Sequence, residues 1–330
     1  MKFAYDNAYY SGRPLKDLNK GDIFFAKEIS IINLFEEFHI DAHKKVEGVK
    51  KQYNIYISDV LKELTGLKYT SKLQYSKRIT IDVVTRLPPA LTELLGNLPD
   101  IQIELIMRLS ELHASLSSIN FVKTNYYDII NKREKIPEAS YEEIKKVASF
   151  YENLIDEIEN SDLYKKLSKL SIDELFGAYF YNQGKIELYW PAIAFYSSWK
   201  NISITNLTFI VLTHEKAHAI THMGFDLENL FWPTEDFANS DLEVVEGLAQ
   251  FYTEKVCKNT INNIDLYKDF ETLLKDQPKP YTEYKKWLNG EKQIEEKVRL
   301  AMINFRRAKK KTSDDFSKFL QSAKEGIEPR

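Results

Sequence analysis

His214-Glu215-Lys216-Ala217-His218 places two imidazoles and a carboxylate on little more than one turn of helix. Histidines four residues apart share a helical face, close enough to grip one metal ion. The glutamate beside the first histidine is then angled toward that ion, where it can take a proton from water the ion has acidified. The chain holds six histidines in 330 residues. At that frequency, on the order of 0.01 chance matches to H-E-x-x-H are expected.

A helix must carry this motif, and its neighbours predict one. Thr205 or Asn206 can cap its start, Leu207, Ile210, Val211, His214, Ala217, His218 and Thr221 follow helical spacing, and Gly224 stops it. Phe209-Ile210-Val211-Leu212 precedes the motif, so the helix is expected to be buried. Buried imidazoles need partners: a metal ion, or hydrogen bonds from neighbouring core groups.

A catalytic zinc takes three protein ligands and keeps one open position. His222 lies eight residues beyond His214, about 12 Å along the axis, and is expected to stand behind the ligands or to be structural. The segment from Asp241 to Tyr252 predicts a second helix, capped by Asn239, Ser240 or Asp241. Its apolar positions are Leu242, Val245, Ala249, Tyr252 and Val256, and Glu246 falls among them. A carboxylate on a buried face is costly unless it meets a cation, and Gly247 beside it leaves room for close approach. Glu246 is therefore the expected third ligand, with Glu243 next, and Glu235 and Asp236 behind it. The alternative is that Glu246 bridges to a lysine or caps a neighbouring helix.

With HEKAH at 214–218 and VEGLAQFY at 245–252, the chain resembles the gluzincin class of zinc metallopeptidases. That resemblance implies a zincin-like catalytic core, Zn2+ held by His214, His218 and Glu246, and Glu215 as general base. The 27 residues between His218 and Glu246 exceed the spacing of thermolysin-like members. They are nearer to thimet-type helical oligopeptidases and ImmA/IrrE-type regulatory peptidases. Gln250 stands where some gluzincins place the aspartate of E-x-x-x-D, which leaves the partner of His214 undefined. A peptidase also needs a donor for its oxyanion; Tyr252, Tyr281 and Tyr284 are candidates that sequence does not rank.

Elsewhere the chain predicts an α+β fold, predominantly helical, with a small antiparallel sheet. Helical periodicity covers Asp22 to about Tyr53, Pro99 to Ile119, Ser140 to Glu159 and most of the chain beyond Thr260. Residues 77–87 are ambiguous, since Ile79, Ile81 and Val83 alternate as a strand would. Ala178 to Trp190 reads as a hairpin around Asn182-Gln183-Gly184, ended by Pro191. By the resemblance, its strand at Ile186 to Tyr189 could pair with an extended substrate; the alternative is a purely structural hairpin. The expected organisation is a helical region over 1–137 and a catalytic region over 138–330, or one compact unit.

Composition narrows the partners. A hydrophobic fraction of 43% indicates a globular chain, and a net charge of −3 calls for neither nucleic acid nor a membrane surface. The cluster from Arg306 to Lys311 is expected to be the solvated face of a C-terminal helix. Cys257 is the single cysteine, the start lacks an apolar leader, and no run reaches transmembrane length, so a cytoplasmic location is expected. His39 and His43 are also four apart, but Ile40 replaces the glutamate; the pair is expected to be surface chemistry without function, and His113 to be structural. The function expected is hydrolysis of a peptide or protein substrate. The alternative is a cytosolic regulatory or interaction protein with a zinc site and narrow or no turnover. Sequence sets no oligomeric state.

Overall fold

The computed structural model describes residues 18–68, 79–96, 98–126, 139–167, 175–260, 264–275, 277–288 and 293–325. It is mostly helical. Helices α1 (Leu18–Phe38) and α2 (Ala42–Thr65) replace the single helix expected over 22–53. The break falls at Asp41, whose φ of 61° lies in the left-handed region that aspartate tolerates better than most residues. His39 therefore sits in the turn between helices, while His43 lies in α2 with its ring 6.0 Å from that of Trp190. The pair shares no helical face.

Strand β1 (Thr80–Val84) is followed by helices α3 (Pro89–Leu95), α4 (Asp100–Met107), α5 (Leu109–Thr124), α6 (Ala139–Asn160) and α7 (Asp162–Leu167). Residues 77 and 78 of the ambiguous segment lie outside the described residues. The expected helix over 99–119 is divided at Arg108, where ψ opens to 0°. His113 on α5 bonds Glu159 on α6 at 2.9 Å, a half-exposed tie between the two helices.

Strands β2 (Gly177–Phe180) and β3 (Lys185–Tyr189) form the expected hairpin, with Gly184 at φ 62° closing its turn. The sheet itself is mixed, not antiparallel. Its order is β1-β3-β2, and β1 runs parallel to β3, with Thr80 opposite Lys185 and Val84 opposite Tyr189. A parallel neighbour needs a long crossover, here helices α3 to α7, and hairpin periodicity carries no trace of it. With β1 on one side and β2 on the other, β3 has both backbone edges in use. The expected pairing of Ile186 to Tyr189 with a substrate is excluded on that ground.

Pro191 stops the strand by standing in the first turn of α8 (Trp190–Lys200). This helix is buried on nearly every side, so it shows no amphipathic stripe by which to be anticipated. Next come α9 (Ile204–Met223), α10 (Thr234–Ala238) and α11 (Leu242–Asn259). They are followed by α12 (Ile264–Lys275), α13 (Lys279–Thr282), α14 (Lys285–Leu288), α15 (Ile294–Arg307) and α16 (Ser313–Glu325). Helix α2 packs along α9 while β1 completes the sheet, so elements on both sides of residue 137 share one core. Among the described residues, no helix is long and apolar enough to cross a membrane.

The basic cluster at 306–311 is only in part the solvated helix face expected: Arg307, Lys309 and Lys310 are exposed, but Arg306 and Lys311 are not. Arg306 is buried and donates to the carbonyls of Gly224 and Leu230, and Lys311, also buried, donates to the carbonyls of Phe305 and Arg306. Arg307 reaches Asp226 Oδ2 at 2.7 Å and Glu228 Oε1 at 2.8 Å. Burial alone would raise the Asp226 carboxyl, but Arg307 and the N–H groups of Leu230 and Glu228 more than offset it and hold it below the usual range. Helix α15 ends at Arg307, and Arg306 and Arg307 pin the loop that joins α9 to α10, while Lys311 turns back onto the carbonyls at the end of α15. Arg306→Met leaves two carbonyls without a charged donor. It is expected to cost about 2–3 kcal/mol, seen as a lower urea midpoint at unchanged slope. An unchanged midpoint would remove this clamp from the account.

Candidate metal centre

Helix α9 begins after Ser203, earlier than the expected caps at Thr205 or Asn206. The Asn206 amide serves elsewhere, donating to Asp269 Oδ2 at 2.8 Å. Gly224 ends the helix as expected, its N–H bonding Ile220 O at 2.8 Å. It is required there by crowding: a Cβ would lie 2.5 Å from Ile220 O and 2.8 Å from Leu67 Cβ. Between these ends α9 is packed by α2, α8, α11 and the β2–β3 hairpin, which buries the whole histidine motif.

Helix α11 follows Asp241, whose carboxylate accepts from the Ser313 N–H at 2.7 Å instead of capping its own helix. The helix is buried all round from Val244 to Glu254, a wider face than the expected stripe. Gly247 explains part of this: Trp287 of α14 lies where its Cβ would be, 2.8 Å from Cη2. The close approach expected beside Glu246 is thus made by an indole.

The two helices cross so that three donor atoms converge. His214 Nε2 and His218 Nε2 stand 3.0 Å apart, and Glu246 Oε2 lies 3.3 Å from the first and 3.2 Å from the second. A tetrahedral ion with bonds of about 2.0–2.1 Å has ligand–ligand edges of about 3.3–3.4 Å, so the triangle fits zinc with modest relaxation. All three residues are buried, and they form the group among the described residues that could hold a metal ion. Two imidazole nitrogens and one carboxylate oxygen also form a donor set that zinc accepts. Burial raises the Glu246 carboxyl, but the His218 and His214 imidazoles outweigh that and hold it well below the usual range.

Glu215, which follows His214 on α9, is fully buried, with both carboxylate oxygens out of solvent contact. The first residue of β2 makes room for it. A Cβ on Gly177 would lie 2.9 Å from Val211 Cγ1 and 3.1 Å from Glu215 Cγ and Oε1. Sequence reasoning did not single out Gly177; a lone glycine at the start of a strand was its only signal.

The structure separates the other candidates. Glu243 pairs with Lys279 at 2.5 Å and accepts from Ser313, so it belongs to the surface. Glu235 is exposed on α10, and Asp236 faces Lys311 at 3.7 Å. His222 is held by the Tyr179 hydroxyl at its Nδ1 (2.9 Å) and by Thr234 Oγ1 at its Nε2 (3.2 Å), with Phe237 stacked 4.6 Å away. That is the structural role expected of it. Gln250 is fully buried, and its amide bonds neither imidazole. Of the three tyrosines, Tyr281 stacks on His214 with centroids 5.9 Å apart. Tyr252 is directed at Met302 Sδ instead. Tyr284 is buried on the Glu254 side, where desolvation and that carboxylate raise its pKa.

No protein-family model, curated protein or solved structure matches this chain.

Proposed function

We propose that this chain is a zinc-dependent peptidase with a zincin-like core, in which His214, His218 and Glu246 hold Zn2+ and Glu215 is the general base. The observation that carries this reading is the buried convergence of the three donor atoms beside a carboxylate on the same helix. Bound zinc would supply Lewis acidity, lowering the pKa of water toward neutrality and polarising a peptide carbonyl. Glu215 would accept the proton of the attacking water and deliver it to the leaving amine. Tyr281, lying against His214, is the tyrosine best placed to donate to the oxyanion; Tyr252 and Tyr284 face other parts of the core. Among the described residues β2 pairs only with β3, so its outer edge is the place where a peptide or protein main chain could add. A cytoplasmic location suits the lone thiol of Cys257, which stays reduced there.

A panel of unfolded peptides tests the reading. Cleavage that a chelator abolishes and zinc restores is expected; intact peptides over zinc-loaded protein would overturn it. One observation favours the second reading, a regulatory protein with narrow or no turnover. The Glu215 carboxylate is sealed from solvent, which suits a dedicated substrate better than general digestion. With Arg306 and Lys311 turned inward, the cluster at 306–311 offers a nucleic-acid partner less basic surface than its sequence suggests.

Gly177→Ala probes the space around the base. Its methyl group must displace Val211 or Glu215, and a displacement of about 1 Å at a catalytic group can cost on the order of 10²-fold in rate. The expected result is a folded, zinc-loaded protein with kcat reduced by roughly 10- to 100-fold. Unchanged kcat would show that the base tolerates the shift.

A further inference from the structure

The short segment from Lys279 to Leu288 touches both of the helices that bring the donor atoms together. Its α13 packs on α11, and the Tyr281 ring lies against His214 of α9. Six residues further on, the segment meets α11 beside Glu246. The far edge of the Trp287 indole covers Gly247, the residue that follows the ligand. A Cβ on Gly247 would lie 2.8 Å from Trp287 Cη2, 3.0 Å from Cζ2 and 3.7 Å from Cζ3.

Trp287 is backed by buried rings. Its centroid is 4.7 Å from that of Phe316 on α16, and Phe305 on α15 lies 5.6 Å from Phe316. Both phenylalanines are buried to 1% exposure or less, and Trp287 itself is 6% exposed. On α11, Gly247, Phe251 and Glu254 share one stripe at helical spacing. The segment follows that stripe: the Trp287 and Phe251 centroids are 6.5 Å apart, and Lys285 Nζ bonds Glu254 at 3.0 Å. An indole fixed in this way has little room to retreat. What occupies position 247 therefore decides how far α11 stands from it.

We infer that Trp287 is a positioning residue for Glu246: its packing on Gly247 sets the depth at which α11 presents that carboxylate to His214 and His218. The inference rests on the metal centre proposed above. Carbon atoms in contact sit about 3.5–4.0 Å apart, so a methyl group at 247 calls for a shift of about 1 Å. Metal–ligand distances tolerate about 0.2 Å. A shift of α11 on that scale reaches Glu246 Oε2, which lies 3.3 and 3.2 Å from the two imidazoles.

Gly247→Ala, Trp287→Phe and the two together test this in the full chain. The readouts are zinc affinity by chelator competition and the visible bands of bound cobalt(II). Gly247→Ala is expected to bind zinc about 10- to 100-fold more weakly, with altered cobalt bands. Trp287→Phe withdraws the edge that covers Gly247 and is expected to weaken zinc about threefold or more. In the double variant the methyl group takes the space that the smaller ring leaves. Its zinc affinity should return to within about threefold of the unaltered chain, with the original cobalt bands. Arg306→Met loses stability away from this contact and should keep both readouts, which separates positioning from a general loss of stability. Unchanged affinity and bands in Gly247→Ala, or a double variant no better than Gly247→Ala, overturns the inference. If Gly247→Ala does not fold, unchanged affinity and bands in Trp287→Phe overturn it. An unaltered chain that takes up neither metal removes the metal centre and this inference together. Metal uptake without peptide cleavage removes the peptidase reading alone.

Discussion

Glu215→Gln is expected to bind zinc at the stoichiometry of the unaltered chain and to lose about three orders of magnitude in kcat. An amide of the same shape fills the space beside Gly177 but cannot accept a proton. Alanine would leave a void in a fully packed site and confuse folding with chemistry. Replacing a fully buried ionisable group by a neutral isostere need not lower stability. A melting temperature held or raised, together with lost hydrolysis, would therefore mark Glu215 as a catalytic group. Full activity in this variant would dismiss it as the base.

His218→Ala is expected to lower zinc affinity by roughly 10³-fold or more, because it removes one of three converging donors from a buried site. In the unaltered chain, zinc at about 1,000 times its Kd adds about 4 kcal/mol of stability, read as a rise in melting temperature. The variant should show almost none of that rise. Glu243→Gln is the matched control and should keep its zinc, since Glu243 is committed to Lys279 and Ser313. Undiminished zinc in His218→Ala would place the metal elsewhere.

What the sequence made legible was local. Two histidines and a glutamate within five residues specify a helical face, and Glu246 stood out because its neighbours were apolar. The hairpin was equally visible, since alternation and a glycine turn are short-range signals. What stayed hidden depends on contacts distant along the chain. The parallel pairing of β1 with β3 joins residues 105 positions apart, so no window of sequence could reveal that β3 is enclosed. Helix α8 has no polar face and thus no period to detect. The cations at 306–311 looked solvated because charge runs usually are. Here Arg306 donates to a loop's carbonyls and Lys311 to those at the end of α15 instead. Tyr281 could be named but not ranked, because its place over His214 goes with the packing of its short helix on α11, a contact distant along the chain.

The parallel strand from the first third of the chain means that the portion carrying the candidate metal site is not a detachable cassette. A fragment beginning after residue 137 would carry a bare flank on its middle strand and an uncovered side on the helix bearing the histidines. Its exposed strand edge would favour self-association. Evolution, or an engineer, can vary the upstream helices only so far as one rung of five residues keeps its register.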